Sequence, residues 1–301
     1  MDRERTTGAP DHTPAGFSDR LLKRWELWWG RPFRWSHAHS YRDVPHRTYE
    51  RFALRSRTEP DAMWQCCPHW PRTLVNKWNS REFVQKHGCR VPALYWHGRW
   101  IAKIPFASLP PRYVVRPVWG AARSGVYVVA DGQELLRKVP AIEAAVRRRL
   151  FREHGPMAVT LLLIEEFVPA EGGGGRLPIE YKCHTFGSTV AAVQVIERTG
   201  PHSGTHRFYT PRWEPFPDVM DGNYPLAPRR GPPRCLEEML GAATRLGEAI
   251  GTYMRVDFFA SDAGAVFNEF SSTPQVHKLA YTRCCEETFG ALWHQQFPDA
   301  V

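Results

Sequence analysis

The segment that most constrains the fold runs from Met254 to Phe270. It holds two apolar, aromatic-rich runs, Met254 to Ala260 and Ala265 to Phe270, separated by Asp262-Ala-Gly264. Such runs on either side of a turn signal predict a β-hairpin. Side chains alternate across a strand, so Arg255 and Asp257 share one face. The turn brings the next strand back alongside, and there Glu269 and Ser271 share a face. Two carboxylates and a hydroxyl then meet at one strand pair. Hard oxygen groups of this kind suit Mg²⁺ carrying a nucleotide phosphate. Arg255 stands where it can neutralise a transferring phosphate or a tetrahedral oxyanion.

The rest of the chain reads as further hairpins and covering helices. Asn76 or Asn79 caps a helix through His87, and Gly88 ends it. Tyr113 to Pro117 and Gly125 to Ala130 are short strands joined by the small-residue loop Trp119-Gly-Ala-Ala-Arg-Ser-Gly125. Asp131 is expected to cap a helix toward Val139, with a very basic helix following over Ala141 to Phe151. Val159 to Val168 (VTLLLIEEFV) is a buried strand ending in acids. The glycines between Glu171 and Arg176 imply a mobile loop. Tyr181 to Phe186 and Thr189 to Ile196 form a hairpin turned at Gly187-Ser188, and Thr199 to Asp221 reads as loop-rich. After Pro232-Pro233, Leu236, Met239, Leu240, Ala243, Leu246 and Ile250 recur at helical spacing. A last helix starts near Thr282. This is an α+β pattern without internal repeats.

Composition limits the partners. The 301 residues carry a net charge of +9, dominated by arginine, which favours anionic ligands and planar phosphate contacts. No helix-turn-helix, zinc-finger or RNP pattern accompanies that charge, so nucleic acid is the lesser cause. No stretch has the apolar length to span a bilayer, and the polar N-terminus lacks the centre of a secretory signal. A cytoplasmic location is expected. Seven cysteines are an odd number in a chain too large to need disulfide staples. They read as reduced thiols. A metal site from Cys66, Cys67, His69, Cys284 and Cys285 lacks any CxxC pair. Residues 1–20 read as a disordered lead and 21–72 as a Trp- and Arg-rich cap, helical near Leu21 to Trp29. Its tryptophans are expected to pack on the main domain rather than stack on bases.

Several segments, taken in order, resemble the ATP-grasp superfamily over about residues 73 to 297. Lys77 with Arg81 (NKWNSREFV) is similar to the helix that opens the first ATP-grasp subdomain. Val114-Val-Arg116-Pro is similar to its basic strand, usually V-x-K-P. The 119–125 loop, with Gly120, Ser124 and Gly125, resembles its phosphate-covering hairpin. Glu165-Glu166-Phe167-Val168 resembles the hinge that reads adenine through backbone groups, and Glu180-Tyr-Lys182 the segment whose acid holds the ribose. Arg255-x-Asp257, then Glu269-x-Ser271 before Thr-Pro, resembles the metal-binding end.

Glu180-Tyr-Lys and His206-Arg-Phe-Tyr-x3-Trp213 look most like the TupA-like group, associated with teichuronopeptide and related peptide–polysaccharide synthesis. The resemblance implies an ATP-grasp fold, with subdomains at 73–168 and 169–301 gripping ATP and Mg²⁺. Lys77, Arg116 and Lys182 would meet phosphates, and Asp257, Glu269 and Ser271 would meet metal. Arg255, His206 and Arg207 would serve the chemistry, with the Thr199 to Trp213 loop as the substrate gate.

The implied reaction is ligation of an acid, as its acyl phosphate, to an amine, with small-molecule or peptide substrates. A small-molecule kinase, or a nucleotide-binding partner protein without turnover, are the other readings. The last is motivated by two departures: Arg116 replaces the usual lysine, and Ser271 the usual asparagine.

Overall fold

The computed structural model describes residues 54–66, 70–119, 125–200, 202–216, 224–272 and 283–296. The expected lead at 1–20 and the helix near Leu21 to Trp29 lie outside these residues. The chain enters through a one-turn helix, α1 (Asp61–Trp64), and a 3₁₀ segment, Trp70–Val75. Trp64 and Trp70 pack against Phe83, with ring centroids 5.5 and 5.8 Å away. These two tryptophans therefore join the apolar core rather than stand out as a stacking platform.

Helix α2 (Lys77–Lys86) follows. Asn76 caps it, its side chain accepting from the backbone N–H of Trp78 and Asn79. Gly88, at φ +69°, leads the chain out.

A six-stranded antiparallel sheet comes next. Its strands are β1 (Leu94–Trp100), β2 (Arg112–Pro117), β3 (Tyr127–Ala130), β4 (Gln133–Glu134), β5 (Val139–Pro140) and β6 (Met157–Glu166), in the order β1-β6-β2-β3-β4-β5. Helix α3 (Glu143–His154) lays Val146 and Leu150 on Val115, Val129, Leu162 and Ile164. Arg116 pairs with Leu163, so Arg116 and Glu165 point to the opposite face.

The expected helix from Asp131 to Val139 is a correction. Ala130 pairs with Gln133, leaving Asp131-Gly132 as a two-residue turn, both at positive φ (51° and 79°). Asp-Gly is the favoured pair for such hairpins, because both central residues must be left-handed. The buried Glu134 carboxylate then accepts N–H from Val128, Leu136 and Arg137 and closes the next turn.

The second sheet has five strands: β7 (Glu180–Phe186), β8 (Thr189–Arg198), β9 (Gly204–Tyr209), β10 (Tyr253–Ser261) and β11 (Gly264–Ser271), ordered β11-β10-β7-β8-β9. Strand β9 corrects the loop expected at Thr199 to Asp221. It is an edge strand whose outer groups are paired by the returning chain: His206 N–H donates to Pro225, and Ala227 N–H donates to His206. That pairing is tertiary and leaves little periodic signal in a six-residue stretch. The glycines at 172–174 are also tied at one end, since Gly172 N–H donates to Asp262 at 3.0 Å.

Helix α4 (Leu236–Ile250) packs Met239, Leu246 and Ile250 over one face of this sheet, against Val193, Val195, Val256 and Phe258. Phe83 and Val84 of α2 share that core. On the other face, α5 (Arg283–Gln296) covers Phe186, Phe208 and Tyr253 with Phe289 and Trp293. No helix among the described residues is long and apolar enough to cross a membrane.

Candidate active site

Beyond the rim of α5, the same face of the second sheet turns from apolar to charged. Strand β10 sets Asp257 opposite Glu269 of β11 and Arg255 opposite Ser271. The register then shifts, because Phe258 pairs with Phe267. Asn268 is the extra residue of a β-bulge, a device that re-aims side chains. Asp257 is fully buried. Its carboxylate receives Lys182 Nζ at 2.5 Å and Arg255 Nε and Nη2 at 2.7 and 2.8 Å. An uncompensated buried ion costs several kcal/mol, so this burial holds only while both cations stay in place.

Lys182 sits on β7, directly across from Asp257. It also lies 3.1 Å from Glu180. Both oxygens of Glu180 accept from the fork of Arg198 at 3.1 Å. Arg198 donates in addition to the Tyr224 hydroxyl and lies over that ring.

Glu269 is about a third exposed, 3.6 Å from Lys77 and 4.0 Å from Arg255. Burial by itself would raise its pKa, but Lys77, Lys182 and Arg255 outweigh this and hold the carboxyl at about 2. Lys77, in the first turn of α2, is pulled below the usual lysine range, first by burial and then by the nearby Arg116, although Glu269 opposes the shift.

The first sheet contributes a second cluster. Glu165, 1% exposed, is gripped by Arg81 at 2.5 Å and by Nε of Arg116. Nη1 of Arg116 reaches across to β11, donating to the backbone oxygen of Asn268 at 3.2 Å and to its Oδ1 at 3.0 Å. Next along the chain, Glu166 accepts from Ala93 N–H and pairs with Arg90 at 3.7 Å, and Phe167 and Val168 are buried. Gly120 and Ser124 lie outside the described residues. Gly125 is left-handed at φ +73°, and a Cβ there would stand 2.9 Å from His154.

His206 and Arg207 are neighbours on β9 and so face opposite ways. His206 shares the face of Glu180 and Lys182, buried beside Gln194. Arg207 donates to the Ala227 carbonyl from the other face. His184 bonds the Tyr253 hydroxyl through Nδ1 at 2.9 Å. Burial first, then Arg255 and Lys182, push its pKa well below the usual histidine value, so it packs as a neutral ring under Phe289.

Sequence reading did not assign Arg198, Tyr224 or Asn268 to the site. Arg198 ends a strand like many surface arginines, and the bulge that turns Asn268 inward leaves no mark in the residue pattern.

Cations outnumber acids in this cluster: Lys77, Arg81, Arg116, Lys182, Arg198 and Arg255 stand against Glu165, Glu180, Asp257 and Glu269. The model for TupA-like ATP-grasp proteins matches residues 67–292. The chain belongs to the TupA-like ATP-grasp family. The two-sheet architecture is accordingly the ATP-grasp fold. No curated protein matches the chain.

Solved structures with similar folds include the D-alanine–D-alanine ligase of Bacillus anthracis complexed with ATP, at 14% identity and a TM-score of 0.48, covering 76% of this chain and 66% of that one. Another is the ATP-grasp ligase PsnB with minimal precursor, Mg and ADP (14%, TM-score 0.44, 77% and 60%). A third is the ADP complex of purK, N5-carboxyaminoimidazole ribonucleotide synthetase (16%, TM-score 0.46, 67% and 45%). This TupA-like chain thus spans two thirds or less of each of these structures.

Glu269, about a third exposed, is the accessible carboxylate, while Asp257 is buried with both oxygens taken by Lys182 and Arg255. The donor set of Asp257, Glu269 and Ser271 is all hard oxygen, which fits Mg²⁺. That ion commonly takes one or two carboxylates and fills its shell with phosphate and water. Among the described residues no three His, Cys, Asp or Glu side chains converge. The protein would therefore supply only part of the coordination.

Proposed function

We propose that this TupA-like protein is an ATP-dependent, ADP-forming carbon–nitrogen ligase that activates a substrate carboxylate as an acyl phosphate and passes the acyl group to an amine. The observation that carries this reading is the meeting of Lys77 from helix α2, Arg116 from the first sheet, and Lys182 and Arg255 from the second, around Asp257 and Glu269 at one strand pair. A polyanionic phosphate chain needs distributed cations, and phosphoryl transfer is catalysed mainly by positioning and charge stabilisation. Lys77, Arg116 and Lys182 bind the phosphates. Glu180 meets the ribose, and the backbone of Glu165 to Val168 the adenine.

Asp257, Glu269 and Ser271 would hold Mg²⁺, which neutralises phosphate charge when bound. A carboxylate oxygen of the acid attacks the γ-phosphorus, and the bond to the ADP oxygen breaks. The amine nitrogen then adds to the acyl carbon, phosphate departs, and the nitrogen loses a proton. Arg255 stabilises the oxyanion of the tetrahedral intermediate. Small acids, peptides and amines are the substrate class, and an ATP-using reaction of this kind belongs in the cytoplasm.

Hydroxylamine tests the acyl phosphate. Incubation with ATP, Mg²⁺ and a panel of acids is expected to yield a hydroxamate with stoichiometric ADP. A stable phosphorylated product with no hydroxamate would instead establish a kinase. Glu269→Gln is expected to stop ADP formation in a protein that is less stable at pH 7 but still folds, because Glu269 is about a third exposed at the rim of the site. Asp257→Asn is the poorer probe, since it also leaves Lys182 and Arg255 underpaired.

A further inference from the structure

Arg116 stands where a lysine is usual, and the structure shows what an arginine gains there. A lysine offers one compact charge, whereas a guanidinium presents donors in a fixed planar fork. Here the fork is used on two sides. Nε faces Glu165 within the first sheet, and Nη1 faces Asn268 on the second. Asn268 can accept twice because it is the bulged residue of β11. Its carbonyl is released from regular pairing with β10, and its side chain is turned to the same guanidinium. The bulge also restores Glu269 to the position opposite Asp257.

We propose that Asn268 is a positioning residue for nucleotide binding. It fixes the plane of the Arg116 guanidinium across the gap between the sheets, so that its remaining N–H groups face the phosphate subsite beside Lys77. This rests on the reading of Arg116 as a phosphate contact. Glu165 supplies the charge that keeps Arg116 buried, and Asn268 supplies direction without adding negative charge. An aspartate at 268 would hold the guanidinium at least as firmly but would set a second carboxylate against the phosphates. The neutral amide is therefore the residue type that orients the cation and leaves its charge available to an anion.

The test is the affinity of a non-hydrolysable ATP analogue with saturating Mg²⁺, measured by calorimetry on every variant under the same conditions. Wild type must bind; absence of binding would remove the ATP reading itself, separately from this proposal. Asn268→Ala is expected to weaken binding about tenfold, the worth of a hydrogen bond to a charged group. Asn268→Asp is expected to weaken it further while melting no lower than Asn268→Ala. That order separates positioning from a merely structural role, which would rank the two by stability alone. In an Arg116→Met background, Asn268→Ala is expected to change affinity less than twofold. Wild-type affinity in Asn268→Ala, or an undiminished effect in the Arg116→Met background, would overturn the proposal.

Discussion

A carboxylate with 1% exposure between two guanidiniums ties the stability of the fold to the readiness of its site. Glu165 balances Arg81 and Arg116, whose side chains are 6% and 7% exposed. Removing one member of a buried ionic group leaves the others unpaired and desolvated. Glu165→Gln is therefore expected to cost about 3–5 kcal/mol, read as a lowered urea midpoint. A wild-type midpoint would show that the arginines do not depend on it.

Glu269 is the opposite case at the same scale. Its pKa is depressed in the fold, from an ordinary 4.5 to about 2. A depressed carboxylate contributes stability that is complete above the unfolded value and disappears as pH falls through the folded value. The margin of wild type over Glu269→Gln is expected to be constant from pH 7 to about 5, to shrink below 4.5, and to vanish near 2. Urea midpoints across that range measure it, and a margin that grows on acidification would contradict the charge field drawn for Lys77 and Arg255.

At the level of elements, helix α4 gives two glycines opposite meanings. A Cβ on Gly247 would lie 2.2 Å from the carbonyl of Gly187, in the β7–β8 turn, and 3.1 Å from Thr185. The helix reaches the sheet this closely because that side chain is missing. Gly247→Ala is expected to destabilise by about 1–3 kcal/mol through overpacking. On the same helix, a Cβ on Gly241 would meet only the end of the Arg245 side chain, 3.7 Å away. Gly241→Ala is expected to stabilise by about 0.5–1 kcal/mol through helix propensity. Thermal unfolding of the pair checks the sign, and equal effects would show that the close approach is not a constraint.

For the molecule as a whole, the joining of two sheets at one charged cluster makes stability respond to nucleotide. A ligand that binds only the native state, at free concentration L, stabilises it by RT ln(1 + L/Kd), which grows with the logarithm of ligand concentration above Kd. At a hundredfold excess over Kd, a non-hydrolysable ATP analogue with Mg²⁺ is expected to raise Tm by about 5–10 °C. Lys182→Met is expected to lower Tm by itself, by leaving Asp257 short of a partner, and to abolish most of the shift. An unchanged shift in that variant would place the phosphates away from β7.

Local pattern was enough for much of this. The turn signalled by Asp262-Ala-Gly264, the helix spaced from Leu236 to Ile250, and the alternation setting Arg255 with Asp257 are all readable from residues a few positions apart, because hydrogen-bonding geometry fixes those periods. The Asp131-Gly132 hairpin is equally legible, since Asp-Gly marks a left-handed two-residue turn, but an aspartate in that setting reads as readily as a helix cap. Other features belong to the tertiary structure. That β9 is a strand, that Asn268 sits in a bulge, that Arg198 closes on Glu180, and that Arg116 bridges to a residue 152 positions away depend on which surfaces meet after the sheets form. The chain by itself determined which charges exist and on which side of each strand they stand. Only packing decided which opposite charges were buried together, because the cost of desolvating each one is settled by neighbours distant in sequence.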